Sequence, residues 1–146
     1  MAPTIWTVGY EKLLPPQLVA ELQAAGLRRV LDVRFRPQSR RPGMSKTRLG
    51  ALLAAHDIAY EHRRELGTPP DMRWLFHAGR LAEATAAYRA HVARETPEAI
   101  DELAAELDAA PATALLCLEA DPAACHRRVI TDALRERRDD LTVVDL

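Results

Sequence analysis

Short apolar runs alternate with longer amphipathic stretches along this chain. Thr4-Ile5-Trp6-Thr7-Val8 is β-branched and aromatic and stops at Gly9, which predicts a first strand. Pro15-Pro16 opens a helix with Leu14, Leu18, Val19 and Leu22 on one face, and Gly26 closes it. Val30 to Arg34 predicts a second strand. A strand, a helix and a strand within about 30 residues make a βαβ unit, with parallel strands and a right-handed crossover. Ser45 stands as the cap of a helix from Lys46 to about His56, with Leu49, Leu52 and Leu53 inward. Asp57 to His62 predicts a third strand, Arg63 to Pro70 a loop, and Met72 to His77 a short helical turn. Leu81 to Arg94 is helical. Thr96 and Pro97 start a further helix with Ile100, Leu103 and Leu107 inward, and Pro111 breaks it. Leu115 to Leu118 is apolar throughout, as a strand covered on both faces should be. Asp121-Pro122 turns the chain into a helix from Ala123 to Arg138, and Leu141 to Leu146 is a last strand.

The order β-α-β-α-β-α-α-β-α-β predicts an α/β fold. The expected architecture is a single three-layer domain over residues 1–146, with a mostly parallel five-stranded sheet and helices on both faces. The expected strand order is about 3-2-1-4-5. Ligands of such sheets bind at the carboxyl ends of the strands, at the switch point. Tyr10, Asp32, Arg34, Cys117 and Glu119 fall at those ends, and Cys125, His126 and Arg127 fall in the first two turns of the helix that follows. Asp32 on a buried strand needs a partner, and Arg34, two residues on, points to the same side.

The chain has 146 residues, about half of them apolar, enough for one core. No apolar run approaches the roughly 20 residues of a membrane span, and the N-terminus has no basic leader before an apolar stretch. A cytoplasmic protein without membrane contact is expected. The net charge of −1 gives no bulk attraction to polyanions. Yet eight basic residues lie between Arg28 and Arg48 against one acid, Asp32, so one face should be positive.

Two cysteines in such a chain are expected as free thiols. They cannot close a structural zinc site alone. His126 and Glu119 could complete four ligands, but their spacing matches no zinc motif, so neither a metal nor a cofactor is expected.

Several motifs in order resemble a known family: Thr7-Val8-Gly9-Tyr10; Leu31-Asp32-Val33-Arg34 with Pro37, Ser39 and Arg40; Glu65-Leu66-Gly67; and Cys117-Leu118-Glu119 with Asp121-Pro122 and Cys125-His126-Arg127. The chain resembles, over nearly its whole length, the domain-of-unknown-function family numbered 488. The resemblance implies a Rossmann-like fold in a small, mostly prokaryotic protein, and action on nucleotides or nucleic acids, as a base hydrolase by fold-level analogy. Tyr10 stands where many members resemble a Gly-His-Ser pattern, so no role for such a His or Ser carries over.

The candidate chemistry follows from placement. Glu119, after an apolar strand, is the leading acid. Asp32 is the second carboxylate for opening a glycosidic bond, and His126 is a proton carrier. Arg34, Arg40 and Arg127 are expected to hold a phosphate, with Tyr10, Cys117 and Cys125 lining the substrate. The bland readings are an Asp32–Arg34 ion pair, a Cys117 that merely packs, and a basic loop that is a solvated face. Cys117 is not a phosphatase nucleophile, because that loop wants arginine where Ala123 stands. The expected function is an enzyme acting on a nucleotide-like or nucleic-acid substrate by hydrolysis, an N-glycosidic bond being the candidate. The alternative is a binding module without turnover, holding an anion or metal or sensing redox state through Cys117, Cys125 and His126. A thiol enzyme with Cys117 as nucleophile is a third reading. The phosphate-bearing partner is a small molecule or a nucleic acid, and the oligomeric state is left open.

Overall fold

The computed structural model describes residues 2–146. Five strands are β1 (Thr4–Gly9), β2 (Arg29–Asp32), β3 (Ala59–His62), β4 (Thr113–Cys117) and β5 (Thr142–Asp145). Six helices are α1 (Pro15–Ala24), α2 (Lys46–Ala55), α3 (Pro70–His77), α4 (Leu81–Arg94), α5 (Pro97–Glu106) and α6 (Arg127–Arg137). All strand pairs are parallel. The α/β class, the five strands and the helices on both faces are as the pattern predicts.

The strand order is β3-β2-β4-β1-β5. This corrects the expected 3-2-1-4-5: β4 lies between β2 and β1. Every residue of β4 is buried, and the centre of a sheet with two helical layers is where a strand apolar after its first residue leaves least surface wet. The β1–α1–β2 crossover therefore passes over β4. β1 and β4 remain neighbours, with Gly9 opposite Cys117. The connection after β1 leads one way and that after β4 the other, so the switch point stays between them.

The two faces divide the core. Alternation along β4 sends Ala114 and Leu116 to the layer of α1 and α2, with Val8, Leu18, Leu22, Leu49 and Leu53. It sends Leu115 and Cys117 to the layer of α3 to α6, with Tyr88, Ile100, Val129 and Ile130. Cys117 thus comes off the sheet on the face where Cys125 also packs.

Several boundaries differ from expectation for local reasons. The stretch after Asp121 is not one helix from Ala123. A 3-10 turn spans Pro122–Ala124, with the Asp121 carboxylate accepting from Ala123 N at 2.9 Å. Cys125 is then extended, with φ −137° and ψ 155°, and α6 begins at Arg127. Cys125 and His126 therefore precede the helix instead of riding on it. Ser45 holds the N-cap position of α2, but its side chain makes no capping bond. Its hydroxyl accepts from Ser39 N at 3.0 Å and donates to the Ser39 carbonyl, closing the basic loop. Thr96 makes no capping bond to α5.

Candidate functional site

The carboxyl ends of β1 and β4 approach so closely that a side chain at position 9 is excluded. A Cβ on Gly9 would lie 1.7 Å from the Glu119 carbonyl oxygen. Beyond the strands the pairing continues, Tyr10 N donating to the Cys117 carbonyl and Glu11 N to that of Leu118. On the far side, a Cβ at Gly67 would meet the Phe35 backbone at 2.4 Å. These two close approaches bring the loops after β1, β2, β3 and β4 around one narrow cavity of about 30 Å³.

Cys117, Cys125 and His126 converge at that cavity, with their donor atoms within 4.8 Å of one another. His126 Nδ1 is 3.5 Å from Cys125 Sγ and 3.8 Å from Cys117 Sγ. His126 Nε2 donates to the Val33 carbonyl at 2.6 Å, and the ring meets Tyr88 edge-on with centroids 5.2 Å apart. Cys117 Sγ donates to Glu119 Oε2 at 3.5 Å, and the other side of that carboxylate faces His77 at 4.0 Å.

The groups of this cluster shift one another. The hydrogen bond with Cys125, reinforced by burial, pushes the Cys117 thiol up. Burial also opposes ionisation of Cys125, but the Cys117 hydrogen bond and the charges of His126 and Arg127 bring it well below the usual thiol range. Burial would lower His126, yet Cys125 and the Val33 carbonyl carry it upward. Both shifts favour the charged forms of Cys125 and His126 next to each other. Burial, helped by the Cys125 charge, lifts Glu119 to about 7.

Glu119, His126, Cys117, Cys125, Tyr10 and Arg34 all line this cavity. Asp32 does not. It is wholly buried and held by two hydrogen bonds from the Arg34 guanidinium, at 2.8 and 2.6 Å, by one from Arg34 N at 3.1 Å, and by one from the Tyr60 hydroxyl. Arg34 also reaches the Met44 carbonyl at 2.7 Å and the Tyr10 hydroxyl. This carboxylate is a brace under the site, and the Asp32–Arg34 pairing is the bland reading realised. Arg127 is fully buried too. It donates to Thr7 and to the Glu119 carbonyl, so it positions the 119 backbone; its Nε has no partner among the described residues, but the side chain does not line the cavity. Its place at the first turn of α6 turns it under β1. Arg40 is exposed on the basic loop, outside the cavity.

The opposite wall is Phe35, which as an aromatic beside the basic loop is a stacking candidate from the sequence, with Thr68, Arg73, Phe76 and His77, which the sequence pattern does not single out. Most of these come from the β3–α3 loop and α3. The Pro69-Pro70 pair that starts α3 is the available signal for them, and the short helical turn expected over Met72 to His77 is the body of that helix. Tyr60 as the partner of Asp32 had no signal beyond its place on β3.

No helix among the described residues is long and apolar enough to cross a membrane. A family model described as "Domain of unknown function DUF488" matches residues 15–134. No curated protein and no solved structure matches the chain.

Proposed function

From a chain that belongs to the DUF488 family, whose description names no reaction, we propose a metal-dependent hydrolytic site built on Cys117, Cys125 and His126. The observation that carries it is the convergence of two sulfurs and one ring nitrogen at ligand spacing. Zinc holds sulfur at about 2.3 Å and imidazole at 2.0–2.1 Å in a tetrahedron, which sets a sulfur–nitrogen separation of roughly 3.6 Å. The separations here are 3.5 and 3.8 Å.

The surroundings agree with that donor set. A ligating histidine commonly gives its other N–H to a carbonyl, which fixes the ring and its tautomer. Val33 does this for His126. Two thiolates and an imidazole favour zinc over magnesium or calcium, which prefer oxygen. Three protein donors beside a cavity suit a site whose fourth ligand is water or substrate. An ion there supplies Lewis acidity and an activated water. Glu119 stands beside Cys117 to take or return a proton at Oε2. One imidazole, two thiolates and a nearby glutamate outside the ligand set also serve zinc deaminases of nucleobases, which supports a nucleotide-like substrate. The two-carboxylate glycosidase arrangement has no such support, because both Asp32 oxygens are engaged by Arg34 and Tyr60.

The test is metal content after purification under reducing conditions. One equivalent of zinc is expected, together with sulfur-to-metal absorption when cobalt replaces it. Both should vanish in Cys125→Ser and His126→Asn and persist in Glu119→Gln. Absence of zinc from the wild type, with no cobalt absorption on titration, overturns the reading.

A second reading rests on the two sulfurs alone. Lying within 4.8 Å of each other, they could join as a reversible disulfide, which would make the same cluster a redox sensor.

A further inference from the structure

We propose that the groove opening beside the thiol cavity binds the phosphate end of a small organophosphate and so delivers the reacting end of that molecule to Glu119 and His126. The inference deepens the hydrolytic reading by naming the class of substrate that the site takes.

The groove encloses about 730 Å³ and is walled by the basic loop after β2 on one side and by α3 on the other. Arg40, Arg41, Arg73 and His77 line it, and no carboxylate does. Tyr10, Arg73, His77 and Leu118 line both the groove and the inner cavity, so the two spaces adjoin. Arg40 and Arg73 enter no ion pair among the described residues. Their guanidinium forks are available for an oxyanion, and two forks match a phosphate dianion better than a single carboxylate.

The loop is fixed before any ligand arrives. Arg41 donates to the carbonyls of Glu11 and Leu13, tying the loop to the chain after β1. Arg41 N donates to the Ser39 hydroxyl at 3.1 Å, Ser39 N to that of Ser45 at 3.0 Å, and Lys46 N to the Pro37 carbonyl at 2.8 Å. Arg41 thus keeps its charge un-neutralised at the groove wall, since carbonyls and not carboxylates hold it. A rigid positive wall loses little entropy on binding.

Size and charge select a small molecule over a polymer. The groove volume falls within the usual span of small-ligand sites. The chain as a whole carries a net charge of −1, so any pull on a longer polyanion is confined to the basic loop after β2. Tyr10 and the aromatic walls Phe35 and Phe76 lie farther in, toward Cys117, around a cavity of about 30 Å³ that admits only the small reacting end of the molecule, so the bulk of it would lie in the groove. The phosphate is therefore a handle, held away from the reacting atoms.

The experiment is calorimetric titration of zinc-loaded and chelator-treated protein with adenosine monophosphate, adenosine and a short single-stranded DNA, at two salt concentrations. Adenosine monophosphate should bind both forms, adenosine at least tenfold more weakly. Arg73→Gln and Arg40→Gln should each weaken the nucleotide about tenfold, the scale of one lost charged hydrogen bond, with unchanged melting of the free protein. Equal binding of adenosine and its monophosphate, or indifference to both substitutions, overturns the groove assignment. So does tighter binding of the DNA with a steep salt dependence, which would make the groove part of a nucleic-acid track. Failure to take up zinc while the nucleotide still binds defeats the metal reading and leaves the groove standing. Zinc uptake without nucleotide binding does the reverse.

Discussion

The Val33 carbonyl accepts the Nε2 proton of His126 at 2.6 Å. A carbonyl cannot donate, so Nε2 keeps its proton in every state of the site. Nδ1 is left to face the two sulfurs, and the ring cannot turn without leaving a buried carbonyl unpaired.

That relationship predicts how an ion enters. Zinc should displace a proton from Nδ1 and leave the Nε2 proton in place, releasing acid as it binds. Nitrogen-correlated NMR of the two ring nitrogens should show Nδ1 move on zinc addition while Nε2 stays protonated. A ring whose Nδ1 is untouched by zinc would remove His126 from the ligand set.

Asp32 and Arg34 are both buried and face each other at 2.6 Å. Asp32→Ala leaves a guanidinium stranded in the core. A loss of about 3–5 kcal/mol in urea unfolding is expected, with zinc stoichiometry retained because Asp32 is no ligand. Unfolding at the wild-type midpoint would show that the pair contributes nothing.

Gly9→Ala and Gly50→Ala should move stability in opposite directions. At Gly9 the added carbon meets the Glu119 carbonyl at 1.7 Å, backbone against backbone, with no rotamer to relieve it. The cost should reach or exceed the upper end of the roughly 1–3 kcal/mol typical of overpacking. At Gly50, inside α2, the new carbon finds the Tyr60 ring at 3.4 Å, and replacing a helical glycine should add up to about 1 kcal/mol. Paired denaturation curves decide both.

Acid should unfold the domain partly through Glu106. The hydrogen bond from Arg63, against a smaller opposing effect of burial and with Arg29 adding, holds its carboxyl below the ordinary range. A carboxyl whose folded value is depressed contributes stability above its unfolded value near 4.3. That contribution fades as pH falls through the folded value. Glu106→Gln should therefore lower stability at neutral pH and flatten the decline below about pH 4. Parallel acid limbs in the two proteins would contradict this.

Peroxide treatment of metal-free protein should join Cys117 to Cys125, with loss of two hydrogens from the protein and reduction of the peroxide to water. Bound zinc should slow the reaction, because the thiolates are then engaged. Mass spectrometry after alkylation reads the result, and two alkylated cysteines after peroxide would exclude the disulfide.

The sequence by itself determined the layered α/β fold. Runs such as Leu115 to Leu118 and amphipathic stretches such as Leu18, Val19 and Leu22 encode strand and helix through local periodicity, and periodicity is a property of neighbours along the chain. It also located Cys117 and Glu119 at a strand end, and Cys125 and His126 just after the Asp121-Pro122 turn. Whether β1 or β4 lies beside β2 was not legible, because a crossover can span one strand or none with the same residues. Only the tertiary structure turned Arg127 inward, added Tyr60 to the Asp32–Arg34 pair that the sequence already offered, and set Arg73 and His77 of α3 across from Tyr10. Those outcomes depend on which buried charges find partners between segments far apart in the chain. The eight-residue gap between Cys117 and Cys125 resembles no metal motif until an extended Cys125 folds the second thiol back toward the first.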